Sequence, residues 1–213
     1  MTNAYIITGP TSGFGLRTAH ELAKHGTVIL AGRDRHKLGG LARTIPGSVP
    51  VVCDLSDLDS VRRAAAEIVE LGRPLAGLVN NAGVMGMRPG RSAQGFDTTF
   101  ATNHLGPFAL TEALLPHLPG GATVVFVASG VEDPERKPAV TAGFRGGRYL
   151  SAEASARGEW APGGSRLPGG DAYATSKQAV LAAALALARE NPRFQDRVVA
   201  ETRALLSRAP SGR

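Results

Sequence analysis

Thr8-Gly9-Pro10-Thr11-Ser12-Gly13-Phe14-Gly15 decides the fold of this 213-residue chain. The stretch follows a short apolar run at 5–8 and opens a second pattern at 14–24. There Phe14, Leu16, Ala19, Leu22 and Ala23 recur at roughly helical spacing. A strand, a glycine turn and a helix in that order bring the free N–H groups of a helix N-terminus to the turn. Glycines let the backbone bend tightly and approach an anion closely. The GxxxGxG spacing therefore reads as a cradle for a pyrophosphate, with Gly15 allowing the helix to pack closely on the sheet.

Outward from this turn, strand and helix alternate. Further strands are expected at 27–31, 49–53, 75–80 and 123–129. Helices are expected at 34–43, 58–71 and 97–118, the last disturbed at Pro107, and from a capping Asp171 to Glu190. Gly26 is the expected stop of the first helix. The alternation predicts an α/β fold, a doubly wound parallel sheet of the Rossmann type with right-handed crossovers. It spans 1–195 as a single domain, with 196–213 an atypical tail. Such a sheet binds a dinucleotide, and an acid ending the second strand would bond the ribose 2′-hydroxyl. Here that strand ends Leu30-Ala31-Gly32-Arg33, which lacks the acid and offers Arg33 to a 2′-phosphate. NADP(H) is the preferred cofactor on this reading, with NAD(H) second. Asp34, one residue on, reads as a helix cap.

From 131 to 170 the alternation stops. This insertion holds Pro134, Pro138, Pro162, Pro168 and eight glycines, with one short helix expected at 148–157. Segments of this length inside a compact domain are functional or mobile as a rule.

Composition bounds the function. Aromatic residues are 5% of the chain, so the core rests on Val, Leu, Ile and Ala. The net charge is +6, but Lys and Arg are spread without clusters or interleaved aromatics, which argues against nucleic acid as a partner. The single cysteine, Cys53, excludes an internal disulfide and fits a reducing compartment. No signal-peptide pattern and no apolar run of about 18 residues is present, so a cytoplasmic protein without a transmembrane segment is expected. The five histidines show no metal-ligand spacing, and His104 reads as structural.

Tyr173 and Lys177 lie four apart on one predicted helix face. A free phenol is a poor base at neutral pH, and a neighbouring ammonium stabilises its anion. The pair makes a general acid–base able to exchange a proton with a carbonyl oxygen. Alone, the spacing is common on surface helices.

Taken together, the glycine turn, Asp54-Leu55, Asn80-Asn81-Ala82-Gly83, Asn103, Ser129 and Tyr173-Ala174-Thr175-Ser176-Lys177 resemble the short-chain dehydrogenase/reductase family. They occur in family order over about 1–190. The resemblance implies catalytic roles for Asn103, Ser129, Tyr173 and Lys177. It implies cofactor contacts from Thr8, Gly9, Thr11, Ser12, Gly13, Phe14, Gly15, Arg33, Asp54, Leu55, Asn81, Ala82, Gly83, Tyr173 and Lys177. Asp54 would contact the adenine, and 80–83 would line the cofactor. Ser129 would bond the substrate carbonyl, Asn103 would hold a water in a proton relay, and Lys177 would also bond the nicotinamide ribose. The substrate would be a small carbonyl or alcohol compound, lipophilic ones included. The long separation of Ser129 from Tyr173 resembles the retinol dehydrogenase and protochlorophyllide reductase-like branch, and the insertion would be a flexible lid. Helices 97–118 and 171–190 resemble the family's dimer-forming pair, which makes a homodimer one expected state.

The resemblance breaks near 200. Arg197-Val198-Val199-Ala200 starts like a sixth strand, but the Pro-Gly turn that should follow is missing. Truncation and frameshift both account for this tail. Either would leave the fifth strand with an exposed edge and the nicotinamide half of the site short of one wall. A second reading is therefore a cofactor-binding pseudoenzyme that is weak or inactive. A third, an epimerase or dehydratase, is disfavoured because those relatives use GxxGxxG and a larger C-terminal region.

Overall fold

The computed structural model describes residues 2–190. The expectations for 196–213 lie outside the described residues. Five strands, β1 (Ala4–Thr8), β2 (Thr27–Gly32), β3 (Val49–Val52), β4 (Leu75–Asn80) and β5 (Thr123–Phe126), form one sheet in the order β3-β2-β1-β4-β5. Every pairing is parallel. The helices α1 (Gly13–Leu22), α2 (Arg35–Ala42) and α3 (Leu58–Glu70) connect them, as the alternating pattern requires.

Successive strand residues point to opposite faces, so each strand feeds two cores. Ile6, Ile29, Val51 and Leu78 pack with Val61, Ala64 and Ile68 of α3. Ile7, Val28 and Leu30 pack on the other face with Ala19 of α1 and with Leu38 and Ile45. The chain reverses winding between β1 and β4. The strand ends at that switch point open a crevice, and the glycine turn after β1 sits there beside the loop after β4.

Several expectations need correction. Gly26 does not cap α1, which ends at Leu22 and tightens through Lys24 and His25 N–H bonds to Glu21 and Leu22 carbonyls. Gly26 is required instead because a Cβ there would collide with the Asn3 carbonyl oxygen. β5 stops at Phe126, three residues short of 129. The 97–118 segment is not one helix. It runs as α4 (Thr98–Phe100), a π turn (Ala101–Leu105), α5 (Gly106–Leu114) and a 3₁₀ turn (Leu115–His117). Pro107 interrupts the ladder at the π turn, because it has no N–H for the Asn103 carbonyl four residues back, and Pro116 sits in the 3₁₀ turn. Gly106 is equally constrained, since a Cβ would strike the Leu55 carbonyl.

The insertion docks on the helix that follows it. It holds α6 (Lys137–Thr141) and α7 (Ala152–Arg157) and leads into α8 (Gly170–Glu190). α6 went unread because Pro138 looks like a breaker, yet proline is well placed in a first helical turn. α7 falls inside the expected span, with Ser151 accepting from Ala154 N–H and Gly158 closing it at φ 76°. Asp171 does not cap α8. It lies in the first turn, and its carboxylate accepts the Ser165 N–H at 2.6 Å.

Candidate active site

A cleft of about 540 Å³ runs across the strand ends. Gly9, Thr11, Ser12, Phe14 and Gly15 form its centre, Asn81, Ala82 and Gly83 one side, and Asp54 and Leu55 the other. Arg33 and Lys37 line one end, and Tyr173 and Lys177 the opposite end. The topology thus gathers most of the sequence-predicted residues into one space.

Thr8, Gly13, Asn103 and Ser129 are outside its lining. Thr8 is buried, and its hydroxyl accepts N–H bonds from Asn81 at 3.1 Å and Ala82 at 3.0 Å. Asn81 Nδ2 in turn donates to the Thr8 carbonyl at 3.0 Å and the Gly9 carbonyl at 3.3 Å. The turn and the loop after β4 are therefore tied together. Gly13 has φ 56° and open space around it. Gly15 packs less on the sheet than on the turn itself, because a Cβ would collide with the Gly9 carbonyl and the Asn81 side-chain nitrogen. Ser12 is the N-cap of α1, and its side chain makes no capping bond. The amides of that first turn are left for a ligand.

At the Arg33 end, Asp34 is engaged as the cap of α2, accepting from Lys37 N–H at 3.0 Å. That hydrogen bond holds its carboxyl below the usual value, with the Lys37 charge adding to it. Asp54 accepts from Ser56 N–H at 2.9 Å and from its hydroxyl at 2.7 Å. Cys53, also in the lining, is inert: burial and the Asp54 charge push its thiol up to about 12. Lys37 was missed by sequence reasoning, although its place four residues after Arg33, in the first turn of α2, was the available signal.

At the other end, Lys177 is buried and donates to the Val127 carbonyl at 2.7 Å. Burial pushes its ammonium below the ordinary lysine value. Its nitrogen lies 5.7 Å from the centre of the Tyr173 ring. Gly83 lets the lysine in, since a Cβ there would stand 3.3 Å from Nζ. Asn103 is buried in the π turn, and its side chain is spent. Oδ1 accepts from Val84 N–H at 2.7 Å, while Nδ2 donates to the Val84 carbonyl and the Ser176 hydroxyl at 2.8 and 3.0 Å. Ser129 follows the Val127-Ala128 edge of the cleft and is not part of its lining.

The uncapped helix start, the open space at Gly13 and two cations at one end fit the phosphates of a dinucleotide. Among the described residues no group of three His, Cys, Asp or Glu is placed to hold a metal ion. No helix among them is long and apolar enough to cross a membrane.

His104 stands apart from this chemistry. Its ring packs 5.0 Å from Phe100 and 6.1 Å from Phe108, and burial pushes its pKa down to about 4. The unfolded chain binds the proton more tightly, so stability is fully present above the unfolded value and is lost as pH falls towards 4. His104→Leu should remove about 3 kcal/mol of acid sensitivity between about pH 6.5 and 4. Urea unfolding of both proteins across that range measures it, and parallel pH profiles would refute it.

Comparison with known proteins agrees with this geometry. The model of the short chain dehydrogenase family matches residues 3–140. Retinol dehydrogenase 13 from Homo sapiens is 40% identical over 124 residues, covering 55% of this chain and 38% of that protein. Protochlorophyllide reductase B, chloroplastic, from Hordeum vulgare is 40% identical over 126 residues, covering 55% and 32%. The chain thus spans less than half the length of these two relatives. Among solved structures, an uncharacterized protein from Mycobacterium Paratuberculosis superposes with a TM-score of 0.71 at 37% identity, over 88% of this chain and 62% of that one. With the switch-point cleft, the glycine turn and a family match over well more than half its length, the chain belongs to the short-chain dehydrogenase family, in the branch similar to retinol dehydrogenases and protochlorophyllide reductases.

Proposed function

We propose that the protein is an NADP(H)-dependent oxidoreductase that interconverts a carbonyl compound and an alcohol, with Tyr173 as general acid–base. The observation that carries this reading is the shared cleft: Tyr173 and Lys177 line the same space as the glycine turn. A nicotinamide dinucleotide bound there supplies or accepts a hydride. The protein moves and holds the proton. The Tyr173 phenol gives its proton to the carbonyl oxygen during reduction and takes it back during oxidation. Lys177, fixed on the Val127 carbonyl, puts a positive charge beside the phenol and favours its anion. Ser129, at the end of the cleft edge, donates its hydroxyl to the carbonyl. Asn103 contributes through its backbone, because its side chain is engaged with Val84 and Ser176. Steady-state turnover with NADPH and a carbonyl panel tests the activity.

Arg33 and Lys37 hold the 2′-phosphate, while Asp34 beside them spends one carboxylate oxygen on the Lys37 N–H. Arg33→Ser should weaken NADPH about 10- to 100-fold, the loss of one charge-assisted hydrogen-bonding partner, and leave NADH nearly unchanged. Binding titrations with both cofactors decide it; an equal loss for both would remove Arg33 from this role.

A further inference from the structure

We propose that the 131–170 insertion is a buttress for the Tyr173 ring, with Phe144 as the positioning residue. The proposal deepens the reading above and rests on Tyr173 being the acid–base.

Phe144 is 8% exposed, and its ring centre lies 6.4 Å from that of Tyr173 at an interplanar angle of 49°. Tilted contacts of this kind are favourable and directional. Ala139 and Ala174 complete the buried cluster, with Leu167 and Met85 packed against it. The insertion is anchored on both sides of the tyrosine along α8. Ser165 N–H bonds to Asp171, two residues before Tyr173, at 2.6 Å. Arg148 N–H bonds to the Thr175 hydroxyl, two residues after it, at 2.8 Å. Gly143, at φ 103°, turns the chain just before Phe144. A side chain from outside the helix thus limits how the phenol can swing. Catalysis needs that limit, because a misplacement of about 1 Å costs on the order of 10²-fold in rate.

The test uses the full chain. Phe144→Ala should lower kcat about 10-fold or more and leave KM and Kd for NADPH within about two-fold. Phe144→Leu, which keeps most of the volume, should recover a large part of the rate. Leu150→Ala, an exposed change in the same insertion, should match the wild type. An unchanged kcat in Phe144→Ala, with Tyr173→Phe inactive, overturns the buttress and leaves the acid–base standing.

A second readout needs no turnover. The chain has three tyrosines, so 3-fluorotyrosine labelling gives three fluorine signals, and Tyr173→Phe assigns one. That signal should shift and sharpen in Phe144→Ala and move part of the way in Phe144→Leu. A signal indifferent to both variants also overturns the proposal. If Phe144→Ala fails to fold, the fluorine signal of Tyr173 in Phe144→Leu carries the test, and an unmoved signal overturns the proposal. If Tyr173→Phe keeps its rate, the catalytic reading fails, and with it the proposal.

Discussion

Tyr173→Phe should lower kcat by about 10²- to 10⁴-fold, the usual contribution of a positioned acid–base. NADPH affinity should stay within about two-fold, because the ring and its packing survive the loss of one oxygen. Among the described residues, Tyr173 is the one phenol in the lining. The Cys53 thiol is pushed up to about 12, and Asp54 is occupied by Ser56. Lys177 is held on the Val127 carbonyl. Stopped-flow or steady-state assays with the best carbonyl of the panel give the rate, and NADPH fluorescence gives the affinity. A mutant with the wild-type rate would end the proposed mechanism. Cofactor binding without turnover in the wild type would favour the pseudoenzyme.

Gly15→Ala should be the most damaging small change in the binding half. Its methyl group would enter the space of the Gly9 carbonyl and the Asn81 amide, and neither can retreat without breaking the bond between them. Overpacking of this kind costs about 1–3 kcal/mol of stability. The same shift opens the phosphate cradle, so NADPH should weaken about ten-fold or more. Gly13→Ala is the control. Its positive φ of 56° costs about 1 kcal/mol, but nothing stands within 4 Å of the new carbon. Urea unfolding of the two variants separates collision from backbone strain. Equal losses would show that the close approach at Gly15 does not matter.

Much of this was legible in the sequence. Short apolar runs rich in β-branched residues, together with the glycine turn, located all five strands, and β4 was placed to the residue. Arg33 and Tyr173 were legible through spacing, because strand ends and helix faces are fixed by local geometry. What stayed hidden depends on contacts distant in sequence. Gly26 looks like a helix stop until Asn3 is seen against it. The Asn103 clamp needs Val84 and Ser176, distant in the chain. Phe144 carries no motif at all; only the docking of the insertion brings it to Tyr173. The π turn was half legible: Pro107 announced an irregularity but not its form.

The Thr8 hydroxyl has a practical consequence for protein engineering. It receives two backbone amides of the loop after β4 while sitting at the end of β1. A cofactor turn grafted from another protein would bring its own residue to that position. If that residue lacks a hydroxyl, Asn81 and Ala82 lose their acceptor, and the recipient fold is penalised before any ligand is added. The transplantable unit is therefore two segments joined by one oxygen, residue 8 together with 79–83, rather than the glycine motif alone.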